Sequence, residues 1–329
     1  MINQRLFDHY GIDTKKDLKI QVRCPRPFDT VLIDKQGSCY ACECTAWLPQ
    51  SIGNLQIKSL DEIVGGNMHT HLQDSILNGT YRYCNENQCP YIRSDNVLHS
   101  ADNQIRQIRI AIDDSCNLRC PSCRKGMIFH KEGLEYNKRL KLADRINSWL
   151  KDQDHDLTVH IGSDGDPFAS GVYRYFMSNT PIKDNIDYSI LTNGLMFEEH
   201  RTVIENIMPR LKVLGISIDG ACKDTYEKLR LGGRWDKILS NLQAISDSKA
   251  KHDFWFRFHV VVQEDNWWEM KQMAELAQSF AVDEIYFSKI QDWNTRLDHS
   301  KQTFTDRPEF KALKDQVTAM SPRYIVAGF

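Results

Sequence analysis

From about one third of the way along the chain, short apolar runs alternate with longer segments of helical period. Runs of strand length fall at Ile105–Asp113 (IRQIRIAID), Leu157–Ser163 (LTVHIGS), Ile186–Thr192 (IDYSILT), Lys212–Asp219 (KVLGISID), Phe254–Gln263 (FWFRFHVVVQ) and Val282–Ile290 (VDEIYFSKI). Helix-period segments lie between them, among them Tyr136–Asp152 and Trp235–Lys251. Strands alternating with helices predict βα units joined in a parallel sheet, an α/β fold. Six strands are too few to close an eight-stranded barrel and enough for an open, partial (β/α)6 one. In such folds chemistry collects in the loops at the C-terminal ends of the strands. Four unusual loops fall there: DDSCNLRCPSCRKG (Asp113–Gly126), SDGDP (Ser163–Pro167), TNG (Thr192–Gly194) and DGAC (Asp219–Cys222). One shared site is expected on that rim.

Before this alternation the pattern is different. The polar stretch RSDNVLHSADNQ (Arg93–Gln104) separates a cysteine-rich first part from the βα series, and the 329 residues suffice for two domains, 1–100 and 101–329. No internal repeat or low-complexity segment occurs. Hydrophobic residues make up 41% and charged residues 26%, as in ordinary globular proteins, and the formal net charge of −2 gives no reason to expect a nucleic-acid or membrane-surface partner. The N-terminus MINQRLFDHYGIDTKK lacks the apolar core of a signal peptide. No apolar run approaches the roughly eighteen residues that span a bilayer, so a cytoplasmic location is expected. In a reducing compartment clustered cysteines read as metal ligands or catalytic groups rather than disulfides. Of the ten cysteines, six (Cys24, Cys39, Cys42, Cys44, Cys84, Cys89) precede residue 90, three occupy the first loop, and Cys222 stands alone. Two separate metal sites are the economical reading. The eleven histidines form no HExxH pair, the Trp267–Trp268 pair reads as packing, and the cations of Lys131–Lys141 read as a solvated helix face.

Cys116, Cys120 and Cys123 are spaced CxxxCxxC. A structural zinc takes four ligands, and a cubane 4Fe–4S cluster takes one thiolate per iron. Three thiolates therefore leave one iron open, unless the loop is a zinc knuckle with a distant fourth ligand. The segment CNLRCPSC resembles the signature of the radical S-adenosylmethionine (SAM) enzymes. That resemblance implies a 4Fe–4S cluster whose free iron is chelated by SAM. One electron then splits SAM, and the 5′-deoxyadenosyl radical takes a hydrogen atom from substrate. Many relatives carry an aromatic residue before the third cysteine, where this chain has Ser122. GSDGDP resembles the family's Gly-Gly-Glu-Pro segment, which implies SAM-amino contacts at Gly165, Asp166 and Pro167. The shorter Asp166 carboxylate leaves more of the binding to the backbone; read alone, the segment is a turn. SIDG resembles the fourth-strand segment and implies Ser217 and Asp219. LTNG recurs in the family and implies Asn193, unless its polar groups cap a helix. Gln263 and Asn266 in VVVQEDN face the same rim. The resemblance covers Gln104 to Met320.

The first part resembles the auxiliary-cluster domain called SPASM, or its shortened relative twitch. The matching pattern is Cys24, twelve residues, Gly37, four residues, Cys42, then Gly53–Asn54, a SLDEI helix, Cys84 and Cys89. Four thiolates (Cys24, Cys42, Cys84, Cys89) would close a second 4Fe–4S cluster completely, or hold a structural zinc. Cys39 and Cys44 are left over as substitutes. In most relatives this domain follows the barrel; here it precedes it.

The resemblance thus implies a radical SAM enzyme of oxidoreductase or transferase type with two 4Fe–4S clusters, SAM, and an electron donor such as flavodoxin or ferredoxin. Its substrate is a peptide or protein to be crosslinked, epimerised or oxidised, or else a small molecule such as an amino sugar or cyclitol. Cys222, on the rim and clear of both cysteine sets, is a candidate hydrogen-atom donor to a substrate radical. As a buried cysteine it would instead be a small hydrophobe. A non-catalytic iron–sulfur electron carrier is the competing class, and a carrier would want both clusters fully ligated.

Overall fold

The computed structural model describes residues 24–89, 92, 104–292, 297–321 and 323–327. The N-terminal sixteen residues and nearly all of the expected boundary at Arg93–Gln104 lie outside them. The chain forms two compact units. One comprises Met1–Asp113, Glu132–Asp164 and Asn179–Asp187, the other Asp114–Lys131, Gly165–Ser178 and Tyr188–Phe329.

In the first unit the elements are α1 (Arg26–Asp29), β1 (Thr30–Asp34), β2 (Ser38–Tyr40), β3 (Gly53–Asn54), α2 (Leu60–Val64), α3 (Asn67–Leu77), β4 (Gln107–Ala111), α4 (Leu134–Lys151) and β5 (Leu157–Ile161). β1 turns back onto β2 at Gly37, whose φ of +78° an L side chain rarely adopts, while Asp34 Oδ1 accepts from the backbone N–H groups of Gln36 and Ser38. The glycine in the Cys24–Gly37–Cys42 spacing is therefore a turn requirement. β1 also pairs in parallel with β4, Thr30 opposite Gln107 through Asp34 opposite Ala111. β4 pairs in parallel with β5. The cysteine-rich segment is thus joined to the βα series by strand pairing. α4 buries Leu142, Ala143, Ile146 and Leu150, one face at helical spacing. Its Arg139 forms a buried ion pair with Asp113, and its Trp149 Nε1 donates to Asp61 Oδ1 at 2.9 Å.

The second unit contains α5 (Gly171–Asn179), β6 (Ile186–Thr192), α6 (Arg201–Ile207), β7 (Leu211–Ser217), α7 (Lys223–Leu229), α8 (Trp235–Lys249), β8 (Trp255–Val262), α9 (Met270–Ser279), β9 (Glu284–Lys289), α10 (Pro308–Met320) and β10 (Tyr324–Ala327). Strands β6 to β10 lie side by side in chain order, all parallel. The expected parallel α/β architecture is present, and each of the six expected strands forms at its run, β7 beginning one residue earlier, at Leu211. β10 extends it by one strand. In β8, buried Phe256, Phe258, Val260 and Val262 alternate with half-buried Arg257, His259 and Val261. One face of the sheet is therefore apolar core, and the other carries polar groups in partly open positions. Trp267 packs edge-on against Trp268 and Phe310, as the packing reading expects. No helix among the described residues is long and apolar enough to cross a membrane.

α7 begins so close to the end of β7 that a Cβ on Gly220 would lie 2.4 Å from the Tyr226 backbone nitrogen. Backbone cannot yield as a side chain does, so Gly220→Ala is expected to cost about 1–3 kcal/mol, as overpacking does. A chemical-denaturation midpoint equal to that of the parent would contradict this.

Candidate functional site

The first loop enters the second unit at Asp114 and is held by its own main chain. The Cys116 N–H donates to Ile128 O at 2.7 Å, and the N–H groups of Cys123 and Arg124 both donate to Cys120 O, at 3.0 and 3.1 Å. Arg124 donates to Asp114 O at 2.7 Å, and His130 Nε2 meets Asp114 Oδ1 at 2.9 Å. Cys116 and Cys120 are buried, while Cys123 is exposed. Burial, with nearby Asp166 adding to it, pushes the Cys116 thiol up to about 12. Burial also raises Cys120, against the opposing pull of Arg230.

Asp166 lies at the centre of the second loop, 2% exposed. Its backbone N–H donates to Ser115 O at 2.8 Å. Its Oδ1 accepts from the N–H groups of Phe168 and Ala169, both at 3.1 Å, in the turn that Pro167 opens after Gly165. Its Oδ2 accepts from Thr192 Oγ1 at 2.7 Å and the Asn193 N–H at 2.8 Å. The carboxylate is thus occupied by four donors from this chain, and the backbone of the segment is what remains for a ligand. Asn193 completes the third loop. Its Nδ2 donates to Asn117 Oδ1 at 2.8 Å and lies 3.9 Å from Cys116 Sγ, while its Oδ1 accepts from the Leu195 N–H at 3.0 Å.

The loops that follow β7 and β8 are tied together by Asp219 and Asn266. Asp219 Oδ2 pairs with Arg230 Nε at 2.8 Å and Oδ1 accepts from the Val261 N–H at 2.8 Å. Asn266 Nδ2 donates to the carbonyls of Asp219 and Val261, both at 2.9 Å, and its Oδ1 accepts from the Gln263 N–H. Both side chains are therefore spent within the rim. Gln263 differs: it is buried, and its Nε2 has no hydrogen-bond partner. Ser217 is half-buried, opposite His259 across β7 and β8. Cys222 is the exposed N-cap residue of α7, and its thiol lies 3.5 Å from both Thr225 Oγ1 and Glu269 Oε1. The rim thus gathers Cys116, Cys120, Cys123, Gly165, Asp166, Pro167, Asn193, Ser217, Asp219 and Gln263 within one unit. Asn117, Thr192, Arg230 and His259 join them without having been singled out. Asn117 sits inside the cysteine motif itself, which is the one signal that pointed to it.

In the first unit the structure brings Cys24, Cys42, Cys84 and Cys89 together. The Cys24 thiol is acted on by Cys89 and Cys84, Cys42 by Cys24 and Cys89, and Cys84 by Cys89 and Cys42. Burial is the first cause of the rise in each, to about 12 for Cys24, Cys42 and Cys84. Cys24 packs with Phe28 and Ile76 in an apolar cluster that Cys84 also touches. Glu43, beside Cys42, is held by ion pairs from Arg26 and Arg109. The leftover cysteines have other neighbours, Asp34 for Cys39, and Glu43 and Arg109 for Cys44.

Both sets offer thiolate donors, the ligand type that an iron–sulfur cluster takes. A zinc ion with bonds of about 2.3 Å draws four sulfurs to about 3.8 Å of one another. Among the described residues no three cysteine sulfurs lie within 4.8 Å of one another. A cubane, whose irons each take one thiolate, spreads its ligands more widely.

Residues 111–277 match the family described as the Radical SAM superfamily. The chain is similar to a GTP 3′,8-cyclase of Alkaliphilus metalliredigens, 29% identical over 149 residues, covering 42% of each chain. It is similar also to a probable GTP 3′,8-cyclase of Methanococcus maripaludis, 25% identical over 147 residues, 43% of this chain and 45% of that one. The chain thus spans under half the length of these curated relatives. Among solved structures, SuiB of Streptococcus suis bound to its precursor peptide SuiA superposes with a TM-score of 0.50 at 12% identity, over 79% of this chain and 62% of that one. The likeness to SuiB is one of fold.

His259 offers a test of the half-open sheet face. Desolvation first, then the charges of Arg257 and Arg230, press its imidazole down to about 3. The unfolded chain, with an ordinary value near 6.5, binds a proton there that the folded chain refuses, so stability falls as pH drops below about 6.5. His259→Gln is expected to flatten the fall in denaturation midpoint between pH 7 and pH 5. Identical slopes in parent and variant would show that His259 is not desolvated.

Proposed function

The chain belongs to the radical SAM superfamily, and we propose that it is an enzyme that abstracts a hydrogen atom from a peptide or protein substrate. The observation that carries this reading is the convergence of the three-cysteine loop with Asp166, Asn193, Ser217 and Gln263 at the C-terminal ends of parallel strands. Bound to that loop, a 4Fe–4S cluster with SAM supplies a carbon-centred radical once a donor of the flavodoxin or ferredoxin class delivers an electron. Cys116, Cys120 and Cys123 hold the cluster. The backbone of Gly165–Pro167, with Asn193, Ser217 and the free Gln263 amide, faces SAM. Asp166 and Asp219 act behind them, fixing the loops.

Cys24, Cys42, Cys84 and Cys89 hold a second, closed cluster in a SPASM-like domain over residues 1–100, which relays electrons or frames the substrate. A peptide substrate is favoured by Met127 and Phe129, which expose 48% and 46% of their surface beside the three-cysteine loop. Exposed apolar side chains at a site supply contact area for a partner chain. A small-molecule substrate is the second reading, and the relatives named GTP 3′,8-cyclase favour it. In an epimerisation, Cys222 would give its S–H hydrogen atom to the substrate radical, and the resulting thiyl would be returned to thiol by one electron and one proton from the same external donor.

Anaerobically loaded protein is expected to hold about eight irons, one per thiolate-bound or SAM-bound corner of two cubanes. Replacing Cys116, Cys120 and Cys123 together with Ala should leave about four and abolish release of 5′-deoxyadenosine under dithionite. Zinc retained at the Cys24 set would overturn the auxiliary cluster, and a fully loaded protein that never cleaves SAM would favour the electron carrier. Stimulation of 5′-deoxyadenosine release by GTP, with GTP consumed, would replace the peptide by the small molecule. Cys222→Ala should spare both clusters and SAM cleavage while blocking net inversion of a peptide stereocentre. Normal inversion would leave Cys222 a helix N-cap only.

A further inference from the structure

Strands β7, β8 and β9 carry one row of side chains in register. Gly215 stands opposite Arg257 and Ser217 opposite His259, while Arg257 is matched in turn by Glu284 and His259 by Tyr286. The His259 ring lies against β7, where a Cβ on Gly215 would stand 3.0 Å from its Cδ2 and 3.2 Å from its Nε2. On the other side the Tyr286 ring lies 5.7 Å away between centroids, tilted by 46°. The imidazole is thus fixed between two strands. Even so, among the described residues neither of its ring nitrogens has a hydrogen-bond partner, and neither has the Ser217 hydroxyl across from it. Ser217, His259 and Tyr286 all keep accessible surface, whereas Ile216, Phe258 and Phe287, which point to the opposite face, keep none. The row therefore lines an opening instead of filling a core.

The charges around it are engaged elsewhere. Arg257 pairs with Glu284, and Arg230 pairs with Asp219. Desolvation first, then those two guanidiniums, hold the imidazole neutral. A neutral imidazole has one N–H donor and one acceptor nitrogen. Its complement is an uncharged group that also donates and accepts, and a site built around such a group discriminates against analogues that lack it. We propose that His259 is a specificity-determining residue that hydrogen-bonds a hydroxyl or carboxamide of the substrate, on the face that Gly215 leaves clear. This rests on the reading of the rim as a SAM site. Ser217 faces SAM in that reading and stands directly across from His259, so a substrate held against SAM comes within reach of the imidazole. Because both guanidiniums are paired, the row offers an anionic substrate group neither of these charges free.

The test is equilibrium binding of small probes to the full-length, anaerobically loaded protein with SAM present. The probes are the N-acetyl, N′-methylamide derivatives of serine, asparagine, alanine, aspartate and lysine, together with guanosine. The serine or the asparagine derivative should bind about tenfold more tightly than the alanine derivative, the worth of one matched buried hydrogen bond. His259→Phe should erase that ratio while keeping iron content and SAM affinity, and His259→Gln, which keeps a donor and an acceptor, should retain part of it. Should His259→Phe lose its iron, Gly215→Ala, whose methyl presses on the imidazole, must weaken the same probes. Guanosine bound in place of the amino-acid derivatives, and weakened about tenfold by His259→Phe, would uphold His259 and move the hydroxyl from a peptide to a small molecule. Equal binding of the serine, asparagine and alanine derivatives, preference for aspartate or lysine, or an unchanged ratio in His259→Phe would overturn the inference. A parent that binds SAM and none of the probes would overturn the inference alone. A loaded parent that binds no SAM would overturn the reading of the rim, and this inference with it.

Discussion

A buried carboxylate must be matched by donors or it unfolds the structure around it, and Asp166 is matched by four. Those four donors come from two different segments of the second unit, the turn into α5 and the end of β6. Its own N–H reaches a third, the cysteine loop at Ser115. Removing the carboxylate would leave buried N–H groups and a hydroxyl without partners, each costing on the order of 1–3 kcal/mol. The order of the rim therefore rests on one aspartate. Asn193 extends the same arrangement, linking the end of β6 to Asn117 between the first two cysteines. Asp166, which the family resemblance implies for SAM contact, is in this chain what holds the loops of the rim in register.

The thiols around this framework are chemically quiet by themselves. Burial raises Cys116 and Cys120 in one unit and Cys24, Cys42 and Cys84 in the other, so at neutral pH they are protonated and slow to oxidise or exchange. A bound metal centre alters that state, because ligation takes the proton away. The cations stand where the new charge would appear, Arg230 beside Cys120 and Arg26 beside Cys24. Each is already paired with a carboxylate, Asp219 or Glu43, which keeps it oriented while the thiols are neutral.

Much of this was legible in the chain because period and spacing are local signals. The six apolar runs became strands, and the cysteine, glycine and asparagine positions of the loops lie on one rim. What escaped were features whose meaning is non-local. β1 (TVLID) and β10 (YIVA) are too short to show a period, and each becomes a strand through its neighbour's edge. Arg230 stands in a charged helix end like many solvated arginines, and only the packing of α7 turns it inward. His259 reads as one of eleven histidines until the alternation of β8 places it on the half-open face. For Asp166 the residue type is legible in the sequence and its four donors are not, because they are set by the approach of loops up to 27 residues away.

The parallel pairing of β1 with β4 bears on how the chain reaches this structure. β1 lies between an antiparallel neighbour a few residues on and a parallel one that begins at Gln107. During synthesis the β1–β2–β3 meander forms early from local contacts, then waits with one row of N–H and C=O groups unanswered until β4 emerges. Such long-range closure is slow compared with hairpin formation, and an uncovered strand edge is a template for pairing between chains. The converse holds for the folded protein. The N-terminal segment is the cover of β4, and a shortened chain beginning after it would present that edge to solvent.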